Sequence, residues 1–197
     1  MRGDASMRRM PADLPPLHDW PLPYEQRLDA RPAAQVDLVV IHCTELPDLE
    51  TAREYGERVL YADQGTGASG HYYIDRDGTV HVFVRPGRIA NHTRGYNPRS
   101  VGIELVNTGR FPDWYDSRRQ VMTEPYPPRQ MAALAALLAR LRAELPNLKY
   151  IAGHEDLDTA KVPASDDASR EVFRKRDPGP MFDWATLLAG TGLERID

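Results

Sequence analysis

The chain has little of what marks several common protein classes. Cysteine occurs once, at Cys43, so no internal disulfide can form and no oxidising compartment is implied. No run of about 18 apolar residues is present, which gives no reason to expect a transmembrane helix or membrane insertion. Neither sign of charge dominates: 25 Lys and Arg stand against 29 Asp and Glu, a net charge of −4. That balance argues against nucleic acid as a partner, because a phosphate-binding surface needs a basic excess. The first residues carry Arg2, Arg8 and Arg9 with no apolar segment after them, and Pro15, Pro16, Pro21 and Pro23 interrupt the next stretch. This region reads as lacking a secretory signal, so the expected location is cytoplasmic, with the periplasm as the alternative. Met7 and Met10 are alternative starts.

What is present fits one domain. The 197 residues are 41% hydrophobic and 27% charged, enough to build a single packed core. Residues 1–35 are rich in Pro and Arg and show no periodicity. They are expected to form an extended arm on a domain that spans 36–197, pinned by Trp20 and Tyr24. Val36 to Thr44 is dense in β-branched residues and reads as a buried strand. Thr51 to Leu60 reads as a short helix. His71 to Val84 reads as a hairpin, because Asp77-Gly78 is a strong turn signal between two strand-like runs. Ser100 to Val106 is a further strand, and residues 108–127 form an irregular loop.

Pro128 to Leu145 shows the clearest helical pattern. Met131, Leu134, Leu138, Leu141 and Leu145 make one apolar stripe, Pro128 suits the first turn and Pro146 ends the run. Leu148 to Ala152 is a last strand, residues 156–176 a polar loop, and a final helix starts near Phe182. The order predicts an α/β fold: a single-domain mixed central β-sheet with helices on its faces.

Three residues suggest a metal site. His42, His154 and Asp177 each stand at a strand end or on the loop after one, where side chains can converge. Alternation along the first strand puts His42 on one face with Leu38 and Val40, and Cys43 on the other. Two imidazoles and a carboxylate form a common catalytic zinc set that leaves the fourth position open. Taken singly, a histidine at a strand end is more often a hydrogen-bonded core or rim residue. The two histidines are far apart in sequence, so spacing does not choose between these readings.

A resemblance does choose. The segments Val39 to Thr44, Ser69 to Gly78, Ser100 to Glu104, Gly153 to Asp156 and Arg174 to Pro180 resemble, in order, motifs of the type-2 N-acetylmuramoyl-L-alanine amidases. The likeness runs from about residue 36 to 187. It implies that His42, His154 and Asp177 bind Zn2+, that Glu104 is the catalytic carboxylate and that Lys175 assists it. It also implies that His92, with His71 near it, contacts substrate, and that the partners are peptidoglycan fragments (muropeptides); beside the resemblance, Arg94 and Arg99 are candidates for binding peptide carboxylates. Asp177 as third ligand, where phage lysozymes of the family use cysteine, and Gly70 in place of a tyrosine resemble the cytoplasmic 1,6-anhydro-muropeptide branch used in cell-wall recycling. Without that tyrosine, the water-activating role falls to Glu104.

The stretch between His154 and Asp177 is longer than in that branch, and Asp166 and Asp167 are rival carboxylates within it. The tryptophan that often precedes the histidine matching His92 is missing, so Trp114, Tyr115 or Tyr96 are candidates for stacking on the sugar. Two other readings stand beside the hydrolase: a non-catalytic peptidoglycan-binding module and a phage-type cell-wall lysin.

Overall fold

The structure is a computed structural model, and it describes residues 16–197. Nine strands and four α-helices follow one another among those residues. They are β1 Leu17–Asp19, β2 Leu38–Cys43, α1 Leu49–Glu57, β3 Tyr72–Ile74, β4 Val80–Val82, β5 Ser100–Leu105 and α2 Pro128–Glu144. After these come β6 Tyr150–Gly153, α3 His154–Leu157, β7 Lys161–Pro163, β8 Glu171–Phe173, α4 Trp184–Thr191 and β9 Glu194–Arg195. Seven strands form one sheet in the order β1-β4-β3-β5-β2-β6-β9, and β7 and β8 pair separately. The sheet is mixed: β3 and β4 are antiparallel, and β2 runs parallel to both β5 and β6. The fold is the expected α/β type.

β2 is buried at all six positions, as a central parallel strand covered on both faces must be. Its alternate residues serve different layers. Val39, Ile41 and Cys43 join Val101, Ile103 and Leu105 of β5 and Leu134, Leu137, Leu138 and Leu141 of α2 in one core cluster. Leu38 and Val40 face the other way and pack with Ala152. A second layer, with Leu22, Leu46, Leu49, Tyr73 and Phe83, gathers around α1. His42 continues the Leu38–Val40 row, so alternation carries it out of the α2 core.

Local chemistry explains the element ends. Asp48 caps α1 by accepting from the Thr51 backbone N–H at 2.7 Å, which starts that helix earlier than its apolar pattern suggests. Gly78 holds the β3–β4 turn at φ 90°. Gln130 of α2 is fully buried, and its Nε2 donates to the carbonyls of Ile74 and Val106. It thereby ties the helix to the ends of β3 and β5.

Three expectations need correction. The stretch 16–35 is more than an arm laid on the surface: β1 pairs with β4, and Tyr24 is buried with its hydroxyl donating to the Gly56 carbonyl at 2.6 Å. Trp20, the other expected pin, is 38% exposed but holds the stretch by packing edge-on against Phe83 at 5.4 Å and stacking with the Arg53 guanidinium. Residues 1–15 of the expected arm lie outside the described residues. The polar loop 156–176 starts with the end of α3 and contains the β7–β8 hairpin, and β9 adds an edge strand after the last helix. No helix among the described residues is long and apolar enough to cross a membrane.

Leu138 is fully buried beneath the sheet. Leu138→Ala is therefore expected to lower unfolding stability by about 2–5 kcal/mol, measured by denaturant titration; a loss under about 1 kcal/mol would contradict the packing described.

Candidate metal centre

The register of three strands assembles the site. β2 and β5 pair so that His42 lies opposite Glu104. β2 and β6 pair so that Ile41 lies opposite Gly153, and His154 follows at once as the first residue of α3. The rings of His42 and His154 meet edge to face with centroids 4.5 Å apart. Asp177 arrives from the far side of the β7–β8 hairpin, where the Glu155 N–H donates to its carbonyl at 2.9 Å.

Asp177 Oδ2 lies 2.9 Å from His42 Nδ1 and 3.1 Å from His154 Nδ1. One potential ligand atom from each of the three residues falls within a mutual 4.8 Å, and all three residues are buried. Asp177 Oδ1 and His154 Nε2 are buried without any hydrogen-bond partner among the described residues. Buried polar atoms are normally paired, so the protein alone leaves this cluster incomplete. Two imidazoles, one carboxylate and their convergence fit a zinc ion of the catalytic kind. Cys43 points to the α2 side and is buried in that core, so it offers nothing to the cluster.

Burial shapes the charges. Desolvation lowers the His42 pKa to about 4, with the neighbouring His154 acting in the same direction, so the ring is neutral near pH 7 and its lone pair is available to a metal. Burial alone would raise the Asp177 pKa, but His154 and the hydrogen bonds from both histidines hold it well below the usual carboxylate range. Glu104 goes the other way. Burial, and then the charge of Asp177, raise it well above an ordinary glutamate, which favours a group that must hold and release a proton. Glu104 Oε1 lies 3.9 Å from His42 Nδ1. It fits there because residue 70 is a glycine: a Cβ at that position would stand 2.8 Å from Glu104 Cγ.

These residues line a cleft of about 450 Å3 together with Lys175, Arg174 and His92. Trp114 and Tyr115 line it too, and Tyr96 does not. The structure thus brings His42, Glu104, His154, Lys175, Asp177 and His92 together and leaves two expected residues outside. His71 is fully buried; its Nδ1 accepts from the Gly102 N–H and its Nε2 sits against Arg31 and the Arg88 carbonyl. It serves the core behind the cleft because it stands at the start of β3, beneath β5. Arg94 is absent from the cleft lining, and its side chain is 72% exposed beside Asp158. The rival carboxylates are committed elsewhere, Asp166 to Ser117 and Asp167 to Ser169.

One supporting pair has no signal in the sequence. Arg110 and Glu45 form an ion pair with side chains 1% and 9% exposed, at 2.6 Å. Arg110 also donates to the Phe173 carbonyl at 2.9 Å. It anchors the end of β8 just before Lys175 and Asp177. Its partners are distant in sequence, and only the fold brings them together.

A family model described as N-acetylmuramoyl-L-alanine amidase matches residues 32–180. The endolysin of Enterobacteria phage T3 is 26% identical over 141 residues, 71% of this chain and 88% of that protein. Among solved structures, N-acetylmuramoyl-L-alanine amidase LysC from Clostridium intestinale URNW superposes with a TM-score of 0.63 at 20% identity, covering 91% of this chain and 99% of that one. The N-acetylmuramyl-L-alanine amidase AmiD from E. coli, in complex with the substrate anhydro-N-acetylmuramic acid-L-Ala-D-gamma-Glu-L-Lys, superposes with a TM-score of 0.58 at 24% identity. It covers 81% of this chain and 58% of that one.

The raised pKa of Glu104 has a measurable sign. The folded protein holds this proton more tightly than the unfolded chain, so the contribution to stability is full below about pH 4.5 and is lost as pH rises through the folded value. Metal-stripped Glu104→Gln should therefore melt above metal-stripped wild type at pH 8, with the gap closing toward pH 4. A gap independent of pH would contradict the burial of this carboxyl.

Proposed function

The chain belongs to the N-acetylmuramoyl-L-alanine amidase family, and from that premise we propose that it is a zinc enzyme acting on soluble peptidoglycan fragments during cell-wall recycling in the cytoplasm. The reaction is hydrolysis of the amide between N-acetylmuramic acid and L-alanine. The observation that carries the reading is the convergence of His42, His154 and Asp177 within 4.8 Å beside the carboxylate of Glu104.

A zinc ion held by those three residues supplies Lewis acidity toward water and the scissile carbonyl. Glu104 takes a proton from the attacking water and returns it to the leaving L-alanine nitrogen, which its raised pKa suits. Lys175, on the same cleft wall, places a cation where negative charge develops on the amide oxygen. Trp114 and Tyr115 offer aromatic faces for the sugar. Trp114 is held for this by its indole N–H, which donates to the Glu45 carbonyl at 3.0 Å.

Asp177 as third ligand supports the recycling reading. The match to a phage endolysin favours a second one, in which the enzyme attacks intact wall. Purified protein is incubated with a soluble muropeptide and, separately, with insoluble sacculi, and the products are read by mass spectrometry. Free stem peptide should appear from the muropeptide, vanish with a chelator and return with zinc. Glu104→Ala should keep its metal and lose about 10²–10⁴-fold in turnover. Faster release from sacculi would replace recycling with lysis, and release that ignores the chelator would remove the metal from the reaction.

A further inference from the structure

We propose that His92 is a positioning residue that fixes the tautomer and orientation of the ligand His42, rather than a contact for substrate. The inference rests on the metal-site reading above.

His42 turns Nδ1 toward Asp177 and Nε2 away from it. That Nε2 lies 3.1 Å from His92 Nδ1 and 3.3 Å from Thr93 Oγ1. His92 Nε2, on the opposite side of its ring, lies 3.2 Å from Ser100 Oγ, and Ser100 Oγ donates to the Tyr96 carbonyl at 2.8 Å. A carbonyl can only accept, so it sets the direction of the whole chain. With the Ser100 proton committed to Tyr96, the Ser100 oxygen must accept from His92, so His92 carries its proton on Nε2. A neutral ring protonated there has a bare Nδ1, which accepts from His42 Nε2–H. When a metal replaces the proton that His42 Nδ1 otherwise donates to Asp177, the remaining ring proton sits on Nε2 and Nδ1 presents the lone pair a metal needs. Thr93 Oγ1 accepts the same His42 Nε2–H as a second arm and stands 2.9 Å from His92 Nδ1.

The relay is built into the fold. The backbone N–H groups of His92 and Thr93 both donate to Asn97 Oδ1, at 3.1 and 2.7 Å. The His92 ring lies directly on Gly102, where a Cβ would stand 2.6 Å from its Cγ. Gly102 therefore gives up a side chain in the middle of β5 to admit this ring. Among the described residues His154 has no such outer partner, because its Nε2 is unpaired. Orientation of the imidazole pair by the protein thus falls on His42, and outer partners of this kind commonly change metal affinity.

The test compares zinc affinity, by competition with a chromophoric chelator, across wild type, His92→Leu, His92→Asn and Ser100→Ala, with nitrogen-15 NMR of the zinc-loaded histidines alongside. His92→Leu should weaken zinc binding about 10–100-fold and abolish the slowly exchanging Nε2–H resonance of His42. His92→Asn, which keeps an acceptor where Nδ1 stood, should recover most of that loss. Ser100→Ala should give an intermediate effect, and it carries the test with His92→Asn if the leucine variant does not fold. Unchanged zinc affinity in His92→Leu with a raised KM would overturn the proposal in favour of substrate contact. Unchanged affinity with only a lowered Tm would reduce His92 to packing. A wild-type protein that binds no zinc would overturn the metal reading itself, a separate failure.

Discussion

Because β2 pairs with β5 so that His42 stands beside Glu104, and with β6 so that His154 begins just past its end, the positions of His42, Glu104 and His154 are set by the register of three parallel strands. A shift of one residue in that register would turn His42 into the α2 core and bring Cys43 to the cleft. The apolar residues prevent it. Val39 and Ile41 fill the α2 side while Leu38 and Val40 fill the other, so a slipped pairing would have to repack both layers. The hydrophobic core thereby does more than hold the sheet together. It fixes the geometry of a polar cluster that would be costly to gather alone.

That cost is visible in the protonation states. Two histidines and two carboxylates share a buried space, and His42, Asp177 and Glu104 are each displaced from their ordinary behaviour. Asp177 stays ionised through hydrogen bonds from both imidazoles. Glu104, buried near the same negative charge, is pushed toward its protonated form. The two carboxyl groups are thus driven apart in acidity, the general condition for giving one a holding role and the other a proton-transfer role. Around them, Arg110 and Glu45 neutralise each other in the wall that carries Lys175 and Asp177.

Much of this was legible in the residues. The β-branched density of β2 and β5, the Asp77-Gly78 turn and the apolar stripe of α2 marked their elements to within a few positions, since each is long or carries strong turn chemistry. Alternation alone separated His42 from Cys43. The illegible parts share physical causes. β1, β7, β8 and β9 have two or three residues each, too few for a period to show, and Pro163 disguises β7. His71 resembled a site residue because its motif neighbours one, yet burial at the start of β3 spends both its nitrogens inside. The Arg110–Glu45 pair exists only once the loop after β5 folds back over the end of β2. Convergence of His42, His154 and Asp177 is likewise a product of the fold, and the family resemblance stood in for it.

The central claim is that these three side chains form one metal site at the end of β2. Diffraction from zinc-soaked crystals, recorded on both sides of the zinc absorption edge, tests it most directly. The account predicts a single anomalous peak about 2.0–2.2 Å from a nitrogen of His42, a nitrogen of His154 and a carboxylate oxygen of Asp177. A peak on other residues, or none at full zinc saturation, would contradict it.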